Sequence, residues 1–119
     1  MERDGPPATG CRIGELFELL GRAHVLDILY LAIHEERPIR FADLQRRLGM
    51  SPNTLSHRLK SLHQAGLLTR TAYNEIPPRV DYEATAKARR LGDVFRMLHE
   101  WSQENTLTAE ATDSAAALA

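Results

Sequence analysis

The chain has 119 residues, 43% of them hydrophobic and 26% charged, with a formal net charge of −1. That length suffices for one compact core and not for a second independent one, so a single domain is expected. The near-zero charge excludes a uniformly basic nucleic-acid binder, the single cysteine excludes an internal disulfide framework, and no apolar run approaches the roughly 18 residues of a membrane span.

In chain order, MERDGPPATG is rich in Pro, Gly and charge, and 106–119 is rich in Thr and Ala without an aromatic anchor. Disordered tails are therefore expected at 1–10 and 106–119, around a folded unit at 11–105. The start lacks both the basic and the apolar stretch of a secretory leader, and with the lone Cys11 this gives the expectation of a cytoplasmic protein in a reducing compartment. Leu16, Phe17 and Leu20 predict a short first helix. Over 24–34, Val25, Leu26, Ile28, Leu29, Tyr30, Leu31 and Ile33 leave almost no polar face except Asp27, which predicts a buried central helix.

Pro38 and Ile39 interrupt, and Phe41, Leu44 and Leu48 at spacings of three and four predict a third helix closed by Gly49. Ser51 is a good N-cap, with Pro52 at the first helical position, where its missing N–H costs nothing. Leu55, Leu59 and Leu62 form one apolar stripe of a fourth helix over 51–65, stopped by Gly66. The period then changes to two. The 67–73 segment is rich in Thr and Tyr, Val80, Tyr82 and Ala84 alternate with polar residues, and Asn74, Glu75, Pro77 and Pro78 supply a turn, so a β-hairpin is predicted. From Thr85 a long last helix is expected, with Leu91, Phe95 and Leu98 in one stripe and Val94, Met97 and Trp101 beside it.

Helix, turn, capped helix and hairpin is the order of a winged helix-turn-helix. The fold class expected is therefore mainly α with a small β-hairpin, a winged helix-turn-helix with a long C-terminal helix for dimerisation. Charge supports this order. Between Arg37 and Arg70 lie Arg37, Arg40, Arg46, Arg47, Arg58, Lys60 and Arg70 against the single acid Asp43, a local balance of +6 that leaves −7 for the rest. Such segregation attracts a polyanion to one face and repels it elsewhere.

A major groove accepts one α-helix, whose outer face must carry hydrogen-bonding side chains while the inner face anchors to the core. With the leucine stripe inward, Asn53, His57, Lys60 and Gln64 turn outward. Ser51, Asn53, Thr54, Ser56 and His57 occupy the N-terminal turns, which go deepest into the groove, so base-edge roles are assigned to Asn53, Thr54, Ser56 and His57. Arg58 and Lys60 are assigned to phosphates. In the hairpin, Arg70, Thr71, Asn74 and Arg79 are candidates for backbone or minor-groove contact. The rival reading from another class is a winged-helix protein-interaction module whose basic helix docks on an acidic protein.

The segments CRIGELFELLGRAHVLDILYLA and RFADLQRRLGMSPNTLSHRLKSLHQAGLLTRTAYNEIPPRVDYEAT, with the late Trp101, resemble the HxlR-type transcription regulators over 11–101. The most specific pieces are the cysteine before the first helix, SPNTLSHRL and EIPPRVDY. The resemblance implies a homodimer built from the terminal helices, a recognition helix at 51–65 and a wing at 70–83. The dimer interface is assigned to Leu16, Phe17, Leu91, Val94, Phe95, Leu98 and Trp101, and the partner is a pseudo-palindromic duplex bound by a repressor. It also implies that Cys11 stands where some members carry a thiol sensitive to oxidants or electrophiles. The chain departs from the family in having Ala23 and His24 where a Lys-Trp pair is usual, and Thr85, Ala86, Lys87, Ala88 in place of Thr-x-x-Gly.

The five histidines, His24, His34, His57, His63 and His99, lack zinc-site spacing, so no metal and no cofactor are expected. No phosphate loop, nucleophile elbow or paired carboxylates suggest an enzyme.

Overall fold

The computed structural model describes residues 12–108. Cys11, the expected tail at 1–10 and all but the first three residues of the expected tail at 106–119 lie outside the described residues.

Helix α1 (Arg12–Leu20) has no fully buried residue and rests on the core through Leu19 and Leu20. Helix α2 (Val25–His34) buries Val25, Ile28, Leu29 and Ala32, a single stripe at helical spacing. Here the expectation of a helix buried all round is corrected: Leu26 and Tyr30 are exposed. Phe95 packs edge-on against the exposed Tyr30, at 5.7 Å between ring centroids.

Strand β1 (Ile39–Arg40) was not foreseen, because two residues carry no periodicity. It leads into α3 (Phe41–Leu48), which Gly49 closes at φ 65, its N–H bonded to the Gln45 carbonyl at 2.9 Å. Only glycine takes this left-handed conformation freely. Helix α4 (Pro52–Gln64) follows, burying Leu55, Leu59 and Leu62. Strands β2 (Leu68–Tyr73) and β3 (Arg79–Ala84) form the hairpin in the register Leu68 to Ala84 and Tyr73 to Arg79. β1 adds to the free edge of β3, pairing Ile39 with Tyr82 and Arg40 with Asp81, so the sheet is antiparallel in the order β1-β3-β2.

The single long last helix is also corrected. The chain makes a short α5 (Ala86–Arg89), capped by the Thr85 hydroxyl accepting from the Ala88 N–H at 3.1 Å, then turns into α6 (Gly92–Glu104). The break has a cause at Arg89. Its guanidinium donates to the carbonyls of Ile33 at 3.0 Å and Glu35 at 3.2 Å, satisfying carbonyls at the end of α2 and fixing α5 there. Helix α6 then begins after Arg90 and Leu91, and its Phe95 packs against Tyr30. The architecture is otherwise as expected: mostly helical, with a small antiparallel sheet in a winged helix-turn-helix order.

A Cβ at position 49 would meet nothing within 4 Å, so the cost of Gly49→Ala is conformational alone. The substitution is expected to lower the unfolding free energy by about 1–2 kcal/mol, read as a shifted midpoint in urea with an unchanged slope.

Candidate nucleic-acid interface

Helix α4 is built from its cap outward. Ser51 lies in extended backbone and its Oγ accepts from the Thr54 N–H at 3.3 Å, while its own hydroxyl donates to Thr54 Oγ1 at 3.0 Å. With Pro52 at the first turn, this fixes where the helix begins. The buried leucines then set its rotation, and the opposite face carries Asn53, Ser56, His57, Lys60 and Gln64, all exposed. Thr54 sits at the flank, half-buried, its hydroxyl occupied by Ser51. Thus the structure brings most of the expected base-reading residues to one solvent-facing surface.

Arg58 departs from that surface. It leaves the flank of α4 half-buried, and its Nε donates to the Ala23 carbonyl at 2.8 Å. Further along, Arg22 donates to Ser61 Oγ at 3.3 Å. Neither contact has a sequence signal, since each joins residues more than thirty positions apart without a shared period.

In the wing, Arg70, Thr71 and Asn74 are exposed. Arg79 is drawn inward: its guanidinium carbon lies 3.8 Å from the centre of the Tyr73 ring, Nη1 is 3.5 Å from Glu75 and Nε is 3.5 Å from Asp81. Asp81 is 9% exposed, and its Oδ1 and Arg79 Nε find no hydrogen-bond partner. The two charges therefore compensate one another along β3 at ion-pair distance. The turn with Pro77 and Pro78 lies over the start of α3, enclosing with Arg40 and Phe41 a groove of about 390 Å³. Arg40 reaches this edge through β1.

Basic side chains elsewhere in the interface are partly paired. Arg46 bonds Asp43 at 3.1 Å and Arg47 bonds Glu35 at 3.4 Å. Arg37, Arg40, Lys60 and Arg70 have no ion-pair partner among the described residues.

Behind the interface, α1, α2 and α6 enclose an apolar groove of about 380 Å³, lined by Phe17, Leu20, Leu26, Leu91, Val94 and Leu98 among others. Phe17, Val94, Met97, Leu98 and Trp101 are each more than half exposed. Of the residues assigned to a dimer interface, Phe95 is buried in the monomer's own core, and Leu16 and Leu91 are half-buried. Among the described residues no cluster of His, Cys, Asp and Glu is arranged to hold a metal ion, and no helix is long and apolar enough to cross a membrane.

Comparison with known proteins places this geometry. Residues 19–110 match the sequence profile of HxlR-like helix-turn-helix proteins. The chain belongs to this family. It is 39% identical over 93 residues to the HTH-type transcriptional regulator BH0655 of Halalkalibacterium halodurans, covering 77% of this chain and 81% of that one. Other HTH-type regulators are longer, and the chain spans 59% to 63% of their length. Among solved structures, a transcriptional regulator of the MarR family from Porphyromonas gingivalis W83 superposes with a TM-score of 0.74 at 25% identity, covering 86% of this chain and 99% of that one. The reduced form of the regulator YodB from B. subtilis gives 0.69 at 27% identity, covering 84% and 98%. This HxlR-like chain is thus a transcriptional regulator of the winged-helix type.

The inward Arg79 and the outward Arg70 are expected to behave oppositely on truncation. Arg79→Ala strands the buried Asp81 carboxylate and should cost about 1–3 kcal/mol of stability. Arg70→Ala should change stability by less than about 0.5 kcal/mol, both read from urea denaturation.

Proposed function

We propose that this HxlR-like regulator is a homodimeric, sequence-specific DNA-binding repressor that sets α4 in the major groove of a pseudo-palindromic operator and its hairpin on the flanking backbone or minor groove. The observation that carries the reading is the outward face of α4, where Asn53, Ser56, His57, Lys60 and Gln64 project together from a helix held behind by fully buried leucines. Asn53, Ser56 and His57 read base edges, with Thr54 beside them at the first turn. Lys60 takes a phosphate, and Arg70, Thr71 and Asn74 contact the flank. Membership of a helix-turn-helix regulator family supports the same reading.

Dimerisation is supported by the apolar face of α1 and α6. Phe17, Val94, Met97, Leu98 and Trp101 form a contiguous exposed surface beside the groove, an arrangement that marks a partner site on a small domain. A second copy covering it brings two recognition helices about 34 Å apart, one turn of duplex. Light scattering at micromolar concentration is expected to give twice the monomer mass, and Leu98→Asp to return the monomer.

Redox control at Cys11 is the regulatory part of the proposal. It is supported by the solved relative YodB, whose structures include reduced, quinone-bound and diamide-treated forms. With one cysteine per chain, oxidation yields either a small adduct or a disulfide to the partner's Cys11. Diamide is expected to release wild-type protein from DNA and to leave Cys11→Ser bound; equal release of both proteins removes Cys11 from the mechanism.

The deciding experiment is fluorescence anisotropy with the upstream intergenic duplex, scrambled duplex as competitor and ionic strength varied. Tight, competitor-resistant binding is expected. Lys60→Ala should weaken every sequence alike and lower the salt slope by about 1.8 for two copies in a dimer. Asn53→Ala and His57→Ala should instead change sequence preference. Binding that is weak and equal for all duplexes would overturn the proposal in favour of a protein-interaction module, and a reporter that rises when the gene is deleted is expected for a repressor.

A further inference from the structure

The turn at 21–24 between α1 and α2 is held to α4 by two side-chain hydrogen bonds from opposite directions. Arg58 Nε, on α4, donates to the Ala23 carbonyl at 2.8 Å, and Arg22, in the turn, donates to Ser61 Oγ on α4 at 3.3 Å. Both α4 residues lie on one flank, continued by Thr54 and Ala65 at spacings of three and four, and all four are half-buried. Arg58 therefore leaves the helix sideways, toward the turn, and away from the outward face that carries Asn53, His57 and Lys60.

The turn itself is strained. His24, which precedes α2, has φ 72 and makes no side-chain capping bond; its ring nitrogen is 3.8 Å from Asp27. A non-glycine residue in this left-handed region is disfavoured and persists where its surroundings over-determine it. The two bonds between the turn and α4 supply that determination. The same turn sets the direction of α1, whose Phe17 and Leu20 line the apolar groove.

We propose that Arg58 is a positioning residue: by bonding the Ala23 carbonyl it locks α4 to the α1–α2 turn, so that the helix facing a second subunit and the helix facing DNA move as one body. This deepens the DNA-binding reading and rests on it for its effect on affinity, while the lock itself is a property of the free protein. In this role Arg58 does not touch phosphate, although its charge and its place on the recognition helix suit it to one. Arg22 and Ser61 form the second tie, so the turn has two adjacent fixing points, both immediately before its strained residue.

Two measurements on full-length Arg58→Ala, Lys60→Ala and wild-type protein test this. Amide hydrogen exchange on the free protein is expected to rise about tenfold over 21–28 in Arg58→Ala, with β2 and β3 unchanged, and to stay at wild-type rates in Lys60→Ala. Anisotropy titrations with the operator duplex are expected to show Arg58→Ala binding about tenfold more weakly with the wild-type salt slope, whereas loss of a phosphate contact lowers the slope by about 0.9 per site. Unchanged exchange over 21–28 overturns the lock, even where DNA affinity falls. A slope reduced as in Lys60→Ala makes Arg58 a phosphate contact and overturns the proposal, as does unchanged affinity. Should wild-type protein fail to bind DNA specifically, the DNA reading falls and the exchange result alone decides the lock. If Arg58→Ala does not fold, Arg58→Lys keeps the charge, lacks Nε, and is judged by the same outcomes.

Discussion

A helix offered to a groove has to be gripped from behind, and the rest of this structure depends on how α4 is gripped. Leu55, Leu59 and Leu62 are completely buried and join the Val25, Ile28, Leu29 stripe of α2 in one core. The same leucines govern the wing. Gly66 turns the chain at φ 77, the Leu67 N–H returns to the Leu62 carbonyl at 2.9 Å, and Leu68 enters the core as the first residue of β2. The other strand comes back to the same place, where Thr85 Oγ1 donates to the Gly66 carbonyl at 2.8 Å and its N–H to the Leu67 carbonyl at 3.1 Å. Both ends of the hairpin are therefore fastened to the C-terminus of α4, and the direction of the wing follows from the rotation of the helix.

That arrangement covers only one side of α2. The sheet, α3 and α4 occupy it, and on the other side Phe95 alone reaches the core from α6. Arg89, by holding the carbonyls of Ile33 and Glu35, pins α5 to the end of α2, and α6 begins only after Arg90 and Leu91. Helices α1 and α6 consequently flank α2 with an open apolar groove between them. The unfilled face is thus a consequence of how the recognition half is packed.

The sequence made the recognition half legible because its signals are local. The Ser51–Pro52 start, the leucines at 55, 59 and 62, the glycines at 49 and 66 and the alternation through Val80, Tyr82 and Ala84 each state an element within a few residues. What escaped notice depends on distant pairs. β1 exists only because Ile39 and Arg40 find the edge of β3, and the break before α6 only because Arg89 finds carbonyls more than fifty positions earlier. The apolar run of α2 misled for a related reason: composition says how much of a helix is apolar, and only the fold says how much is covered. Charge likewise places Arg58 and Arg79 among cations available to a polyanion, while a backbone carbonyl and a buried aspartate claim them instead.

This redistribution of charge bears on how the regulator would hold DNA. Of seven basic residues in the 37–70 segment, Arg46 and Arg47 are ion-paired and Arg58 is bonded to backbone, leaving Arg37, Arg40, Lys60 and Arg70 on a chain whose net charge is −1. Counterion release scales with the number of phosphates neutralised, so on the DNA-binding reading one subunit alone would gain little from electrostatics. Joining two subunits makes the second half-site contact intramolecular, which can raise affinity by about 10²–10⁴ without any added contact. On the DNA-binding reading, the apolar face of α1 and α6 is then what converts a sparsely charged reading helix into an occupied operator. On the same reading the sparse charge would serve specificity, because a small non-specific affinity competes little with base contacts made twice.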